Sequence, residues 1–122
     1  MAIRRVSKGK EQDLFWMGTS KEDLMEFPRA MIAAAGHQIS NVQFGMDPDD
    51  WSPMETVGSG SKEIRLRDRD GWYRVIYVAK FESGVYILHS FQKKTNQTAQ
   101  SDIDLARKRY SAAKAADSRS RK

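Results

Sequence analysis

The sequence predicts an α+β domain, a small and mainly antiparallel sheet in the order β-α-(α)-β-β-β-α with its helices packed on one face. Three observations lead there. Residues 63–92, EIRLRDRDGWYRVIYVAKFESGVYILHSFQ, read as three consecutive strands joined by two turns. Leu24, Phe27, Met31, Ala35, Ile39 and Val42 recur every three or four residues, as one face of a helix does. Ile103, Ala106 and Tyr110 repeat that spacing near the C-terminus.

In chain order, Leu14-Phe15-Trp16-Met17-Gly18 is short and apolar and reads as a first strand. Thr19 or Ser20 caps the helix that follows, with Glu22 and Asp23 in its first turn near the positive end of the dipole. Pro28 lacks an N–H, so residues 20–44 form either a kinked helix or two helices, the second starting at Pro28 and ending at Gly45. Residues 46–61, MDPDDWSPMETVGSGS, read as a loop pinned by Trp51 and Met54. Gly58-Ser59-Gly60 precedes a strand rather than a helix, which makes it a flexible linker and not a phosphate loop. Asp70-Gly71 and Glu82-Ser83-Gly84 are the two turn signals of the meander. Ser101 or Asp102 caps a last helix that runs to about Ala116, and the tail DSRSRK frays. The whole of 1–122 is one domain, with about 1–10 and 117–122 flexible.

The composition narrows the function. No apolar run approaches the roughly 20 residues that a membrane span requires, and the basic N-terminus lacks the apolar block of a signal peptide. A cytoplasmic location without membrane partners is expected. The absence of cysteine excludes disulfides and thiol catalysis. No metal-ligand spacing occurs and no cofactor is implied. The net charge of +5 is strongly segregated: +4 over residues 1–10, −7 over 11–61, +2 over 62–104 and +6 over 105–122. A basic strand region beside an acidic half points to a polyanion bound on one side.

The strand region carries the most informative residues. Alternation puts Arg65 and Arg67 on one face of their strand and Ile64 and Leu66 on the other. Arg74 sits among Tyr73, Val75, Ile76, Tyr77 and Val78, so it either pairs with a carboxylate such as Glu63 or Asp68 or faces an anion site. Lys93 and Lys94 end the last strand, and Arg69 belongs to a solvated turn. His37 reads as a surface or structural residue. His89 lies closer to the cations, where it is either a buried hydrogen-bonded side chain or an acid–base group.

The strings GSGSKEIRLRDRDGWYRVIYVAKFESGVYILHSFQKKTNQT and DIDLARKRY, preceded by LFWMGTS, LMEFPRAMI and HQISNVQFG, resemble the phage-derived HigB-like branch of the RelE/ParE toxin superfamily over about residues 10–112. The resemblance implies a RelE-like fold and the toxin of a type II toxin–antitoxin module. Its expected activity is endoribonucleolytic cleavage of mRNA on the ribosome, in which a ribose 2′-hydroxyl attacks the adjacent phosphate. By resemblance, Arg74 contacts the scissile phosphate, Arg65 is the basic group of the preceding strand, and Lys93 and Lys94 are those of the last strand. His89 stands in for a tyrosine that relatives carry after the last strand and that residues 95–101 lack. Lys62, Arg67, Arg107, Lys108 and Arg109 are expected to bind RNA. The implied partners are the ribosome, its mRNA and a cognate antitoxin, a helix-turn-helix DNA-binding protein. Fold does not dictate function. A ParE-like gyrase inhibitor and a non-catalytic RNA- or ribosome-binding protein are the competing expectations.

Overall fold

The computed structural model describes residues 10–93, 95 and 97–120. Eight elements run in the order β1 (Leu14–Trp16), α1 (Ser20–Leu24), α2 (Arg29–Gln43), β2 (Trp51–Pro53), β3 (Ser61–Asp68), β4 (Gly71–Val78), β5 (Val85–Lys93) and α3 (Gln100–Ser120). The strands form one five-stranded sheet in the order β1-β5-β4-β3-β2. β1 joins β5 in parallel, and the other three pairings are antiparallel. The fold is therefore α+β with a mixed sheet.

The helices cover both faces of the sheet, not one. On the first face, Leu24 and Phe27 with Ala35, Ile39 and Val42 of α2 pack on Ile64, Tyr73, Val75, Tyr77, Val85 and Ile87. On the second, Ala106, Tyr110 and Ala113 of α3 pack on Ile76, Val78, Tyr86 and Leu88. β4 shows why: from Tyr73 to Val78 every residue is buried, whichever way it points. An antiparallel strand with a solvated face would alternate.

Pro28 separates the two N-terminal helices. Its backbone is extended, and its carbonyl accepts from the Met31 and Ile32 amides at 2.8 and 2.9 Å. The missing N–H falls where the helix has no use for one. Thr19 precedes α1 without a side-chain cap, and its hydroxyl donates to Asp23 at 2.8 Å. Ser20 is buried instead and donates to the Ile87 carbonyl. α3 continues past Ala116 to Ser120, because buried Asp117 accepts from both the backbone and the hydroxyl of Ser83. None of the described helices is long and apolar enough to cross a membrane.

Two expectations for residues 46–61 change. Trp51–Pro53 is a short edge strand, paired as Trp51 with Ile64 and Pro53 with Lys62. Its three residues are too few to alternate legibly, and proline is tolerated only at such an edge. The Gly58-Ser59-Gly60 stretch is tied down rather than free. Tyr110 donates to the Ser59 carbonyl at 2.7 Å, Lys80 donates to the Ser59 hydroxyl, and Val57 is buried in the second core. Both meander turns need glycine. Gly71 has φ of 148°, and a Cβ there would stand 2.8 Å from the Lys93 carbonyl oxygen. At Gly84, with the same φ, a Cβ would strike the Asp13 carbonyl that receives the Val85 amide.

Candidate nucleic-acid interface

The meander brings nine side chains of its second face into three cross-strand rows. Nearest the Asp68–Gly71 turn, Arg67, Trp72 and Lys93 are register partners on β3, β4 and β5. Next come Arg65, Arg74 and Phe91, then Glu63, Ile76 and His89. Neighbouring strands lie about 5 Å apart, so each of the first two rows sets cations beside an aromatic side chain. The Arg67 guanidinium lies 4.9 Å from the Trp72 ring centre, and Arg74 lies 5.2 Å from it. His89 stacks on Phe91 with ring centres 4.5 Å apart. The α3 core covers the inner end of this face, whereas Arg67 is exposed and Trp72, Arg65, Phe91 and Lys93 are partly so.

Internal carboxylates hold most of the cations. Arg74 and Glu63 form an ion pair with each side chain only 2% exposed, and the Thr98 hydroxyl donates to the other Glu63 oxygen at 2.7 Å. Of the two roles open to Arg74, the geometry takes the carboxylate pair. Arg65 donates through Nε and Nη2 to Asp50, at 3.2 and 2.8 Å. His89 Nε2 and Asp102 Oδ1 are 2.8 Å apart, and Lys93 Nζ lies 2.9 Å from Asp102 Oδ2. Burial alone would raise the Asp102 carboxyl, but hydrogen bonds from Lys93 and His89, and their charges, hold it below its ordinary range.

The other expected RNA-binding residues are dispersed. Lys62 is on the first face, bonded to Asp47 at 2.8 Å and lying over Trp51, because it alternates with Glu63 and Arg65. Arg107 donates to the Thr56 carbonyl, and Arg109 to the Leu88 carbonyl and the Thr19 hydroxyl, so both tie α3 to its surroundings. Lys108 is exposed on α3, and His37 is exposed on α2. Lys94 lies outside the described residues.

Sequence reasoning missed Trp72 and Asp102. Trp72 was legible, since it shares a strand and a face with Arg74 at spacing two. Asp102 follows His89 by thirteen residues, and only the return of α3 across the sheet brings them together. Tyr73 and Tyr77, by contrast, lie in the first-face core. Burial, then Asp68 for Tyr73 and Asp47 for Tyr77, pushes both hydroxyls up, so neither supplies a phenolate near neutral pH. A groove of about 300 Å³ flanks β5, lined by His89–Gln92 with Phe27, Asp23 and Glu26. Its two acids make it a poor seat for a polyanion, which leaves the Arg67–Trp72–Lys93 face as the better one.

No curated protein and no solved structure matches the chain. The family model described as phage derived protein Gp49-like (DUF891) matches residues 22–111, which span α2, all the strands but β1, and the first half of α3. The chain thus belongs to the phage-derived Gp49-like family, a toxin-like family of the type II toxin–antitoxin systems.

Proposed function

We propose that this protein is a RelE/HigB-like toxin that binds single-stranded mRNA on the ribosome with the Arg67–Trp72–Lys93 face and cleaves it there. The observation that carries the reading is the alternation of cations and aromatic rings across three rigid strands. Single-stranded RNA offers phosphates to the first and unstacked bases to the second. Arg67, Arg65 and Lys93 bind the backbone, while Trp72 and Phe91 give the bases a surface to stack on.

Cleavage by 2′-hydroxyl attack requires a base for the 2′ proton, stabilisation of the charge that builds on the phosphorane, and an acid for the departing 5′-oxygen. Lys93 meets the second need as a positioned cation. His89 is the proton-transfer group, since imidazole both gives and takes a proton near neutral pH. Arg74, buried beneath the face with Glu63, sets the position of Trp72 instead of touching the phosphate. An antitoxin encoded alongside would act by masking this face in the cytoplasm.

Expressing the chain and mapping mRNA 5′ ends tests the proposal. New ends on translated messages, lost in His89→Gln, are expected. Toxicity with unchanged 5′ ends would reject cleavage. A second reading, a non-catalytic RNA- or ribosome-binding protein, is favoured by the internal pairing of both His89 and Arg74. It requires the toxicity of His89→Gln to fall no further than its RNA affinity does, with 5′ ends unchanged in both proteins.

A further inference from the structure

We infer that His89 and Lys93 form a phosphate subsite that the Asp102 carboxylate occupies in the resting protein, so that the first turn of α3 holds the RNA face closed until a phosphate displaces it. The inference rests on the RNA-binding reading above and adds the gate to it.

Asp102 uses its two oxygens on two different donors, Oδ1 on His89 Nε2 at 2.8 Å and Oδ2 on Lys93 Nζ at 2.9 Å. Two oxygens of one anion between an imidazole and an ammonium is also how a phosphodiester would bind, through its pair of non-bridging oxygens. Displacement therefore exchanges one singly charged anion for another on the same donors, and neither donor is left bare in a partly buried place.

Of the three internal carboxylates on this face, Asp102 is the one placed to move. Glu63 is 2% exposed in mid-strand and is held by Thr98 as well as Arg74. Asp50 meets Arg65 at the surface, with 55% of its side chain exposed, so it shields little. Asp102 belongs to a different element from its two cations, and its side chain is 18% exposed.

The subsite survives loss of the carboxylate. His89 is 6% exposed and stacked on Phe91, which keeps the ring in place after Nε2 is released. Its Nδ1 has no hydrogen-bond partner among the described residues, so Asp102 is the one polar group there that holds the ring. Lys93 is the register partner of Trp72, and Trp72 that of Arg67. A phosphate taken up at His89 and Lys93 is thus already in line with the exposed end of the face.

Titrations of the wild type and Asp102→Asn, with inorganic phosphate and with a short 2′-O-methyl oligoribonucleotide, test the gate without turnover. The readouts are fluorescence anisotropy of the labelled oligonucleotide and the His89 ring nitrogen resonances. If the open state is populated at roughly a tenth, Asp102→Asn should bind the oligonucleotide about tenfold more tightly. Asp104→Asn, which removes the same charge from an exposed position two residues away, should gain far less. Adding Lys93→Ala to Asp102→Asn should erase the gain, and both ligands should shift the His89 resonances.

Equal gains in the Asp102 and Asp104 variants, or a gain that persists without Lys93, would reduce the effect to bulk charge and overturn the gate. So would unchanged or weaker binding by Asp102→Asn with an unaltered circular dichroism spectrum. Asp102→Ser, read the same way, replaces the Asn variant where that one fails to fold. A response to inorganic phosphate alone would overturn the RNA assignment. Intact mRNA in the 5′-end experiment would reject cleavage while leaving these titrations to decide the gate.

Discussion

An arginine within an apolar strand, here Arg74, has to find an anion, and Glu63 on the neighbouring strand supplies it with both side chains 2% exposed. A buried pair of this kind contributes little over an apolar pair of equal volume, but breaking it strands a charge. Glu63→Ala should lower the unfolding free energy by about 3–5 kcal/mol, and Glu63→Leu with Arg74→Met should restore most of that, as read by urea denaturation. A single Glu63 variant as stable as wild type would mean that other partners or water satisfy the guanidinium. Asp102 makes the second prediction at this scale. Its carboxyl titrates below the ordinary value of 3.8 when folded, so the stability it adds is complete above about pH 4. That stability is lost as pH falls through the folded value, because the unfolded chain takes up the proton first. Asp102→Asn should therefore flatten the acid limb of the stability profile below about pH 4 and leave its shape at pH 7–9 alone.

At the scale of elements, α3 completes the second core with very small side chains. Ala106 and Ala113 are fully buried, which lets the helix approach the sheet while Tyr110 reaches over to Ser59. Ala113→Leu has no room to fill and should cost about 1–3 kcal/mol in a thermal or denaturant melt. The three strands of the meander and their turns were legible, since alternation, Asp-Gly and Ser-Gly are local signals. The break at Pro28 was legible for the same reason, although whether one helix or two resulted depended on packing. Coverage of both faces was misread as coverage of one, although the run Tyr73–Val78, apolar at both parities apart from Arg74, carries its signal. β2 was not, because a three-residue edge strand is defined by its partner β3 and not by its own pattern. The parallel placement of β1 and the contact of Asp102 with His89 were equally hidden. Each depends on a long-range return of the chain that no local window contains.

At the scale of the whole molecule, the acidic first half does more than offset the net charge. Asp47 and Asp50 reach across to Lys62 and Arg65, so the segregation seen along the chain is partly undone in three dimensions. On the proposed reading, the cations available to RNA are consequently fewer than the sequence count suggests, and the face that matters is the one where Arg67 and Lys93 flank Trp72. Salt dependence measures this directly, because each neutralised phosphate of a single strand adds about −0.7 to the slope of log affinity against log salt. Arg67→Ala should make that slope shallower by about 0.7. Lys62→Ala should leave it nearly unchanged, since Lys62 points from the opposite face toward Asp47. Equal effects from the two variants would mean that RNA follows the general field of the protein and not one face of its sheet. A larger effect from Lys62 would move the interface to the side of α2. With Arg67 dominant, RNA lies across β3, β4 and β5 at the end where Asp102 closes over His89 and Lys93.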